Sequence, residues 1–536
     1  ERTDAVIEPR LSLQWFLKLE VPAKKALEYV EDGRVKLIPD KYRNTYRHWM
    51  ETARDWCISR QLWWGQQIPA WYLPDGEVVV ASTAEEALKL AMKKDPSLKQ
   101  EDLQQDPDVV DTWFSSWLWP ISVFDPGKPG HPQKTPNAEL AYYYPTDDLV
   151  TAPDILFFWV ARMIMAGEIY CQEKPFSNVY LTGMVRDKLG RKMSKSLGNS
   201  PDPIELINKY GADGVRMGLM LCTSAGNDIL FDESQVEQGR NFCNKIWNAY
   251  RLVRSWKRDK SLPLEETSGQ AIKWFRQLLA STREEMEDLF LKFRLSEALM
   301  LLYKRFWDDF CSWYLEIIKP VGTGKKKIDA ATYDTTLEFF DILLHMLHPF
   351  MPFITEELWQ NLYERNEGES IMVSSIPGTG SYKQEELEQF ARLQELIVSI
   401  RGLRQKKQIP GKTALKLYIK GKFPENLYGI VKRMGGLEEV VPVKDTPREG
   451  NLYAFLIGTT EFFIPLGELL DTKEERSKLQ GELEYYRNFL ATVEKKLKNP
   501  NFVQRAPEQV VVTEQKKRSD ALAKIAALEQ QLSSLK

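Results

Sequence analysis

Apolar positions along this chain change their spacing from region to region, and each change predicts a different architecture. Up to about residue 230, short apolar runs alternate with helical stretches. Val179-Tyr180-Leu181-Thr182-Gly183-Met184-Val185 reads as a buried strand, Leu149-Val150-Thr151 as an extended run leading into a helix, and Ala84 to Lys94 as a helical patch. The most apolar run, Ile155 to Gly167, contains Arg162 and is too short to cross a bilayer, so it reads as a buried helix. From about 235 to 365 apolar residues recur at three and four spacing around Phe275, Leu278, Leu299, Leu302, Leu343 and Leu347, which predicts a helix bundle. From 376 to 467 a helix through Arg392 to Gln405 is followed by alternating segments, Leu415 to Lys420 and Phe462 to Leu466, the pattern of a small α/β module. Beyond 468, Leu479, Leu483, Tyr486, Leu490, Val493 and Leu497 recur at four-three spacing. Asn499-Pro500-Asn501-Phe502 breaks that helix, and Ala521, Ile525, Leu528, Leu532 and Leu535 resume the pattern, so the two seams predict an antiparallel coiled coil. The fold class is therefore multidomain α/β plus all-α, divided at 1–234, 235–375, 376–467 and 468–536.

Composition narrows the partners. A chain of 536 residues exceeds one hydrophobic core. Its formal net charge of only -3 excludes a uniformly basic nucleic-acid coat, so any RNA contact must come from local patches. Five cysteines without a Cys-x-x-Cys pair read as buried thiols of a reducing cytosol, with no protein-bound metal expected. Glu1-Arg2-Thr3-Asp4 has neither an initiator methionine nor the plan of a signal peptide, and reads as a cut end. A cytoplasmic monomer without membrane contact is the expectation.

The candidate chemistry centres on Gly190-Arg191-Lys192-Met193-Ser194-Lys195-Ser196-Leu197-Gly198-Asn199. Two ammonium groups and two hydroxyls lie between glycines, after a strand and before a helix start at Asp202-Pro203. Ligands of open α/β sheets sit at such strand ends. The Gly-x4-Gly-Lys-Ser/Thr pattern is absent, so side chains rather than backbone amides must hold a phosphate here. Lysines, as compact charges on flexible stems, suit a polyphosphate whose charge shifts as a bond breaks.

Lys192-Met193-Ser194-Lys195-Ser196 resembles the lysine loop of class I aminoacyl-tRNA synthetases. Asp111-Thr112-Trp113-Phe114-Ser115-Ser116, Ala152-Pro153-Asp154-Ile155 with Trp159, and Asn499 to Pro507 resemble, in the same order, stretches of their valyl branch. The resemblance implies a nucleotide-binding, Rossmann-like catalytic domain, present in part, then an anticodon-binding bundle around His345 to Trp359, and a tRNA-binding coiled-coil arm. It implies ATP with magnesium, valine and tRNA(Val) as partners: valine is activated to valyl-adenylate and transferred to the tRNA. Lys192 and Lys195 would be catalytic, with Met193, Ser194, Ser196, Gly183, Met184 and Val185 beside ATP. Trp113, Ile155 and Trp159 would form the valine pocket, with Asp154 at its amino group. Without the resemblance, Ile155 and Trp159, four apart on one helix face, read as ordinary core.

Two departures stand out: Gln66 follows Trp63-Trp64-Gly65 where the family often has histidine, and Ala152-Pro153 stands where many relatives have glycine. His345 and His348 lack the glycine of a His-x-Gly-His motif and follow the lysine loop where that motif precedes it, so they read as packing residues. With that motif and an editing domain both missing, the chain reads as a C-terminal portion of such an enzyme, inactive when isolated. Lys495, Lys496, Lys498, Arg505, Lys516 and Lys517 gather near the hairpin tip as a candidate phosphate-contacting patch, with a solvated coiled coil as the alternative. A non-catalytic tRNA-binding derivative, or an isoleucyl or leucyl relative, is the alternative for the whole chain.

Overall fold

The computed structural model describes residues 11–124, 137–194, 197–223, 226–320, 326–466, 472–499 and 508–534, with Val6 and Glu8. It divides into two compact units. The first comprises Glu1–Pro201, Cys222–Asp232 and Lys292–Ser296; the second comprises Asp202–Leu221, Glu233–Leu291 and Glu297–Lys536.

A parallel sheet organises the first unit. Strand β1 (Lys36–Ile38), β2 (Thr146–Thr151) and β3 (Phe176–Leu181) are ordered β1-β3-β2, and Val179 pairs with both Leu37 and Leu149. As the central strand β3 is covered on both faces, and Phe176, Val179 and Leu181 are almost wholly buried. Helices Glu20–Glu31, Tyr42–Glu51 and Arg162–Cys171 pack their small and apolar residues into the same core, among them Ala23, Ala26, Tyr46 and Ile164.

The strand expected to run to Val185 ends at Leu181. A Cβ on Gly183 would lie 1.8 Å from the Asn227 carbonyl oxygen, so the chain passes another backbone there and only glycine fits. Val185–Arg186 then pairs in parallel with Ile229–Leu230.

The helix expected over Ile155 to Gly167 is also rebuilt. Pro153–Ile155 forms a 3-10 turn, Leu156–Ala161 is π-helical, and regular α-helix begins at Arg162. Ile155 and Trp159 therefore do not share one α-helical face, because the wider π turn changes the angular step between them.

In the second unit, helices Ala212–Leu221 and Glu233–Arg254 touch backbone to backbone. A Cβ on Gly239 would stand 2.3 Å from the Gly214 carbonyl oxygen, and one on Gly218 would stand 2.6 Å from the Val236 Cα. An aromatic core built on Phe275, Phe306, Phe310, Tyr314, Phe339 and Phe340 follows, with the Phe275 and Tyr314 rings stacked at 5.0 Å. His345 and His348 belong to this packing: His345 Nε2 bonds the Ser374 hydroxyl at 2.7 Å, and His348 Nδ1 bonds that of Thr355 at 2.7 Å. Burial lowers the His348 pKa.

The α/β module carries a four-stranded sheet of β4 (Leu415–Lys420), β5 (Leu437–Val443), β6 (Leu452–Ile457) and β7 (Thr460–Pro465) in the order β5-β4-β7-β6, with β4 and β5 parallel. Arg404, near the end of the helix Gln384–Lys406 before it, faces inward. It is buried, and its guanidinium donates to the carbonyls of Pro410, Thr413, Gly435 and Gly436. Helices Thr472–Leu497 and Glu508–Ser534 pack through Leu479, Leu483 and Leu528, and the second also packs on β6. Among the described residues no helix is long and apolar enough to cross a membrane.

Candidate active site and RNA-binding surface

Trp113 owes its position to Asp111. That carboxylate caps the short helix Thr112–Ser116 by accepting from Trp113 N at 2.9 Å, the local preference of an aspartate at a helix start. It also accepts from Trp56 Nε1 at 3.2 Å and pairs with Arg60. Arg162 lies over the Trp56 ring at 3.5 Å. Burial pulls the Arg162 pKa down to about 10, against the opposing pull of Asp111. Cation, indole and carboxylate thus form one linked group beneath Trp113.

Trp159 meets the same wall from the π-helical turn. Its Nε1 donates to the Ser116 carbonyl at 3.1 Å, and the neighbouring Phe158 stacks on Trp113 with ring centres 6.1 Å apart. Trp113, Ile155 and Trp159 are each half-buried, and the two indoles pack on the core that holds Trp56 and Trp117. Asp154 is exposed in the preceding turn. Gln66 is tied to the same region, its Oε1 accepting from the Ser115 hydroxyl at 2.7 Å. The sequence reading missed Asp111, Arg60 and Arg162 as supports; the signal available was the aspartate before a short helical run.

The lysine loop is held differently. Asp187, at its base, accepts from the backbone of Leu189 and Arg191, from Arg191 Nε at 2.7 Å, and from Asn199 Nδ2 at 3.0 Å. The Asn199 amide, then these other donors, hold its carboxyl down at about 2. Lys192 is exposed, Met193 and Ser194 are half-buried, and Gly183 and Met184 lie half-buried on the segment before Val185–Arg186. Lys195 and Ser196 lie outside the described residues. Downstream, Asp202 caps the helix Pro203–Tyr210 as expected, accepting from Ile204 N at 2.8 Å. Among the described residues no cluster of three or more His, Cys, Asp or Glu side chains could hold a metal ion.

On the arm, Lys495, Lys496, Lys498, Lys516 and Lys517 are all exposed, and Arg505 lies outside the described residues. Three of these lysines face acids of the arm itself. Lys517 pairs with the buried Glu514 at 2.6 Å, Lys496 approaches the same carboxylate at 3.9 Å, and Lys498 approaches Glu494 at 3.9 Å.

Residues 2–232 match the family model described as tRNA synthetases class I (I, L, M and V). Residues 272–419 match the anticodon-binding domain of tRNA ligase, and 471–536 the valyl tRNA synthetase tRNA binding arm. A valine–tRNA ligase of Porphyromonas gingivalis is 56% identical over 100% of this chain and 60% of its own length. Along its whole length the chain is similar to valine–tRNA ligases. That of Parabacteroides distasonis is 54% identical over the same shares, and that of Thermotoga maritima 40% identical. The chain spans about 60% of the length of these curated relatives.

These matches correct the expectation of a C-terminal portion lacking the catalytic half. The class I synthetase match begins at residue 2 and runs to 232, and the relatives align along 100% of the chain, so catalytic, anticodon-binding and arm regions are all matched. The expectation rested on a missing motif, a missing editing domain and the start at Glu1, whereas the family match extends over residues 2–232.

Proposed function

We propose that the protein is a valine–tRNA ligase, acting in the cytoplasm and using ATP with magnesium as substrate. The observation that carries this is the 56% identity to such a ligase over the whole chain. The four-part division of the chain belongs to the proposal: a Rossmann-like catalytic region, an anticodon-binding bundle, a connecting α/β module, and a coiled-coil arm on tRNA(Val).

In the first step the valine carboxylate attacks the α-phosphate of ATP and pyrophosphate leaves. In the second, a hydroxyl of the tRNA terminal ribose attacks the carbonyl carbon, and AMP leaves. Trp113, Ile155 and Trp159 form the slot for the isopropyl group, its walls stiffened by the Trp159 bond to Ser116 and by the stack of Phe158 on Trp113. Asp154 pairs with the substrate ammonium. The Lys192 and Lys195 ammonium groups follow the charge that develops on the leaving pyrophosphate. Met193, Ser194, Ser196 and the Gly183–Val185 segment line the nucleotide. The exposed lysines of the arm neutralise tRNA phosphates.

The test is a ligase in which residues 1–536 stand in place of the matching segment of the P. gingivalis relative. Charging of tRNA(Val) with valine near that relative's own rate supports the proposal. Failure to charge by a folded chimera that still binds tRNA overturns it.

A further inference from the structure

The base of the lysine loop carries an interaction that the proposed chemistry does not use directly. The Asn199 amide touches both sides of the described loop backbone: Oδ1 accepts from Ser194 N at 2.9 Å, and Nδ2 lies 3.3 Å from the Lys192 carbonyl oxygen. The same Nδ2 donates to Asp187 Oδ2 at 3.0 Å. Asp187 is nearly buried although the loop above it is exposed, and it gathers Leu189 N, Arg191 N and Arg191 Nε as well. Arg186 and Lys192 are joined by an isolated antiparallel bridge at the same level. A flexible lysine stem acts from wherever its backbone is fixed, and here the Asn199 amide, the Asp187 carboxylate and the bridge to Arg186 hold that backbone.

We propose that Asp187 and Asn199 form a clip that positions Lys192 for its charge-stabilising role, making both of them positioning residues of the lysine loop. The inference rests on the ligase reading above. Three features support a positioning role over a general structural one. The clip lies on an exposed loop outside the aromatic core; Asn199 bonds residues 192 and 194 on the loop backbone; and its two members are joined by an amide-to-carboxylate bond that can be rebuilt in the opposite sense.

The experiment uses the chimeric ligase described above, comparing its parent form with Asn199→Ala, Asn199→Asp and the exchanged pair Asp187→Asn with Asn199→Asp. Valine-dependent exchange of pyrophosphate into ATP gives kcat and the valine KM, and thermal unfolding reports the fold. Asn199→Asp sets two carboxylates against each other, while the exchanged pair restores an amide facing a carboxylate and keeps an acceptor for Ser194 N. The single variants are expected to lower kcat by on the order of ten- to a hundredfold, the scale of misplacing a catalytic group by about 1 Å. The valine KM and the melting temperature should stay unchanged, and the exchanged pair should recover most of the lost kcat. Unchanged kcat in the single variants overturns the clip, as does a parallel fall of kcat and melting temperature, or an exchanged pair no better than Asn199→Asp alone. A parent chimera that fails to charge valine overturns the ligase reading itself and this inference with it; an active parent with indifferent variants overturns the clip alone.

Discussion

The aromatic cluster around Trp113 and Trp159 and the lysine loop lie in the same unit and are held in opposite ways. Trp113 and Trp159 are fixed by packing: rings stack behind them, and a buried carboxylate with two guanidiniums underlies the wall. The described part of the lysine loop is tied down by hydrogen bonds to Asp187 and Asn199. On the proposed function, a wall that refuses one extra methylene gains from close packing, since any yielding admits the larger side chain. On the same proposal, a cation that follows moving charge gains from a solvated stem on a fixed root.

Four measurements break or sharpen that contrast. The largest effect is expected from Lys192→Ala: on the order of a hundredfold to a thousandfold lower rate of adenylate formation, as for other removed charge stabilisers. Its stability to urea should change by no more than about 0.5 kcal/mol, because the residue is exposed. Parallel losses of rate and stability would erase the distinction. Asp111→Ala should do the reverse first, lowering unfolding free energy by about 2–3 kcal/mol through the lost helix cap and the unpaired Trp56 and Arg60 donors. An urea midpoint equal to the parent's would show that the wall stands without its carboxylate.

Third, Trp159→Ala should reduce discrimination of valine against isoleucine by about tenfold, measured as the ratio of kcat/KM values in pyrophosphate exchange. An unchanged ratio would leave Trp159 as core alone. The smallest effect is on the arm. Neutralising Lys495 and Lys516 should flatten the salt dependence of tRNA binding by roughly 0.7–0.9 in log-log slope per lysine. Neutralising Lys496 and Lys517, which already face Glu514, should flatten it less. Equal slopes for the two pairs would show that the arm's internal acids do not compete with phosphate.

Element types were largely legible in the sequence because they follow from period: the helices of the bundle, the module and the arm all appear where three-four or alternating spacing places them. Local chemistry was legible where its cause is local, as with the Asp202 cap followed by Pro203. What escaped has its cause elsewhere in the chain. The bonds that hold Asp111 come from residues 55 and 51 positions away, and no window around the aspartate contains them. Gly183, assigned by resemblance to the neighbourhood of adenine, is required in this fold by the Asn227 backbone. Arg404 has Arg401, Lys406 and Lys407 as sequence neighbours, and only the return of the chain at Pro410, Thr413 and Gly435 shows what it binds. The π turn before Arg162 leaves no mark in a hydrophobic pattern that is apolar on every side.

Gly214, Gly218 and Gly239, where two helices meet with nothing between their backbones, carry a consequence for heredity rather than for chemistry. Every codon change at these positions that is not silent and does not stop the chain adds at least one carbon, and the nearest backbone atoms stand 2.6 Å or less from where that carbon would go at Gly218 and Gly239. Most of the helix surface can drift through small steps, each compensated by a neighbour's rotamer. At Gly218 and Gly239 no such first step exists, because backbone atoms have no alternative rotamer to offer. The spacing of the two helices is thus inherited as a fixed dimension, and changes to the functional surfaces must accumulate around it.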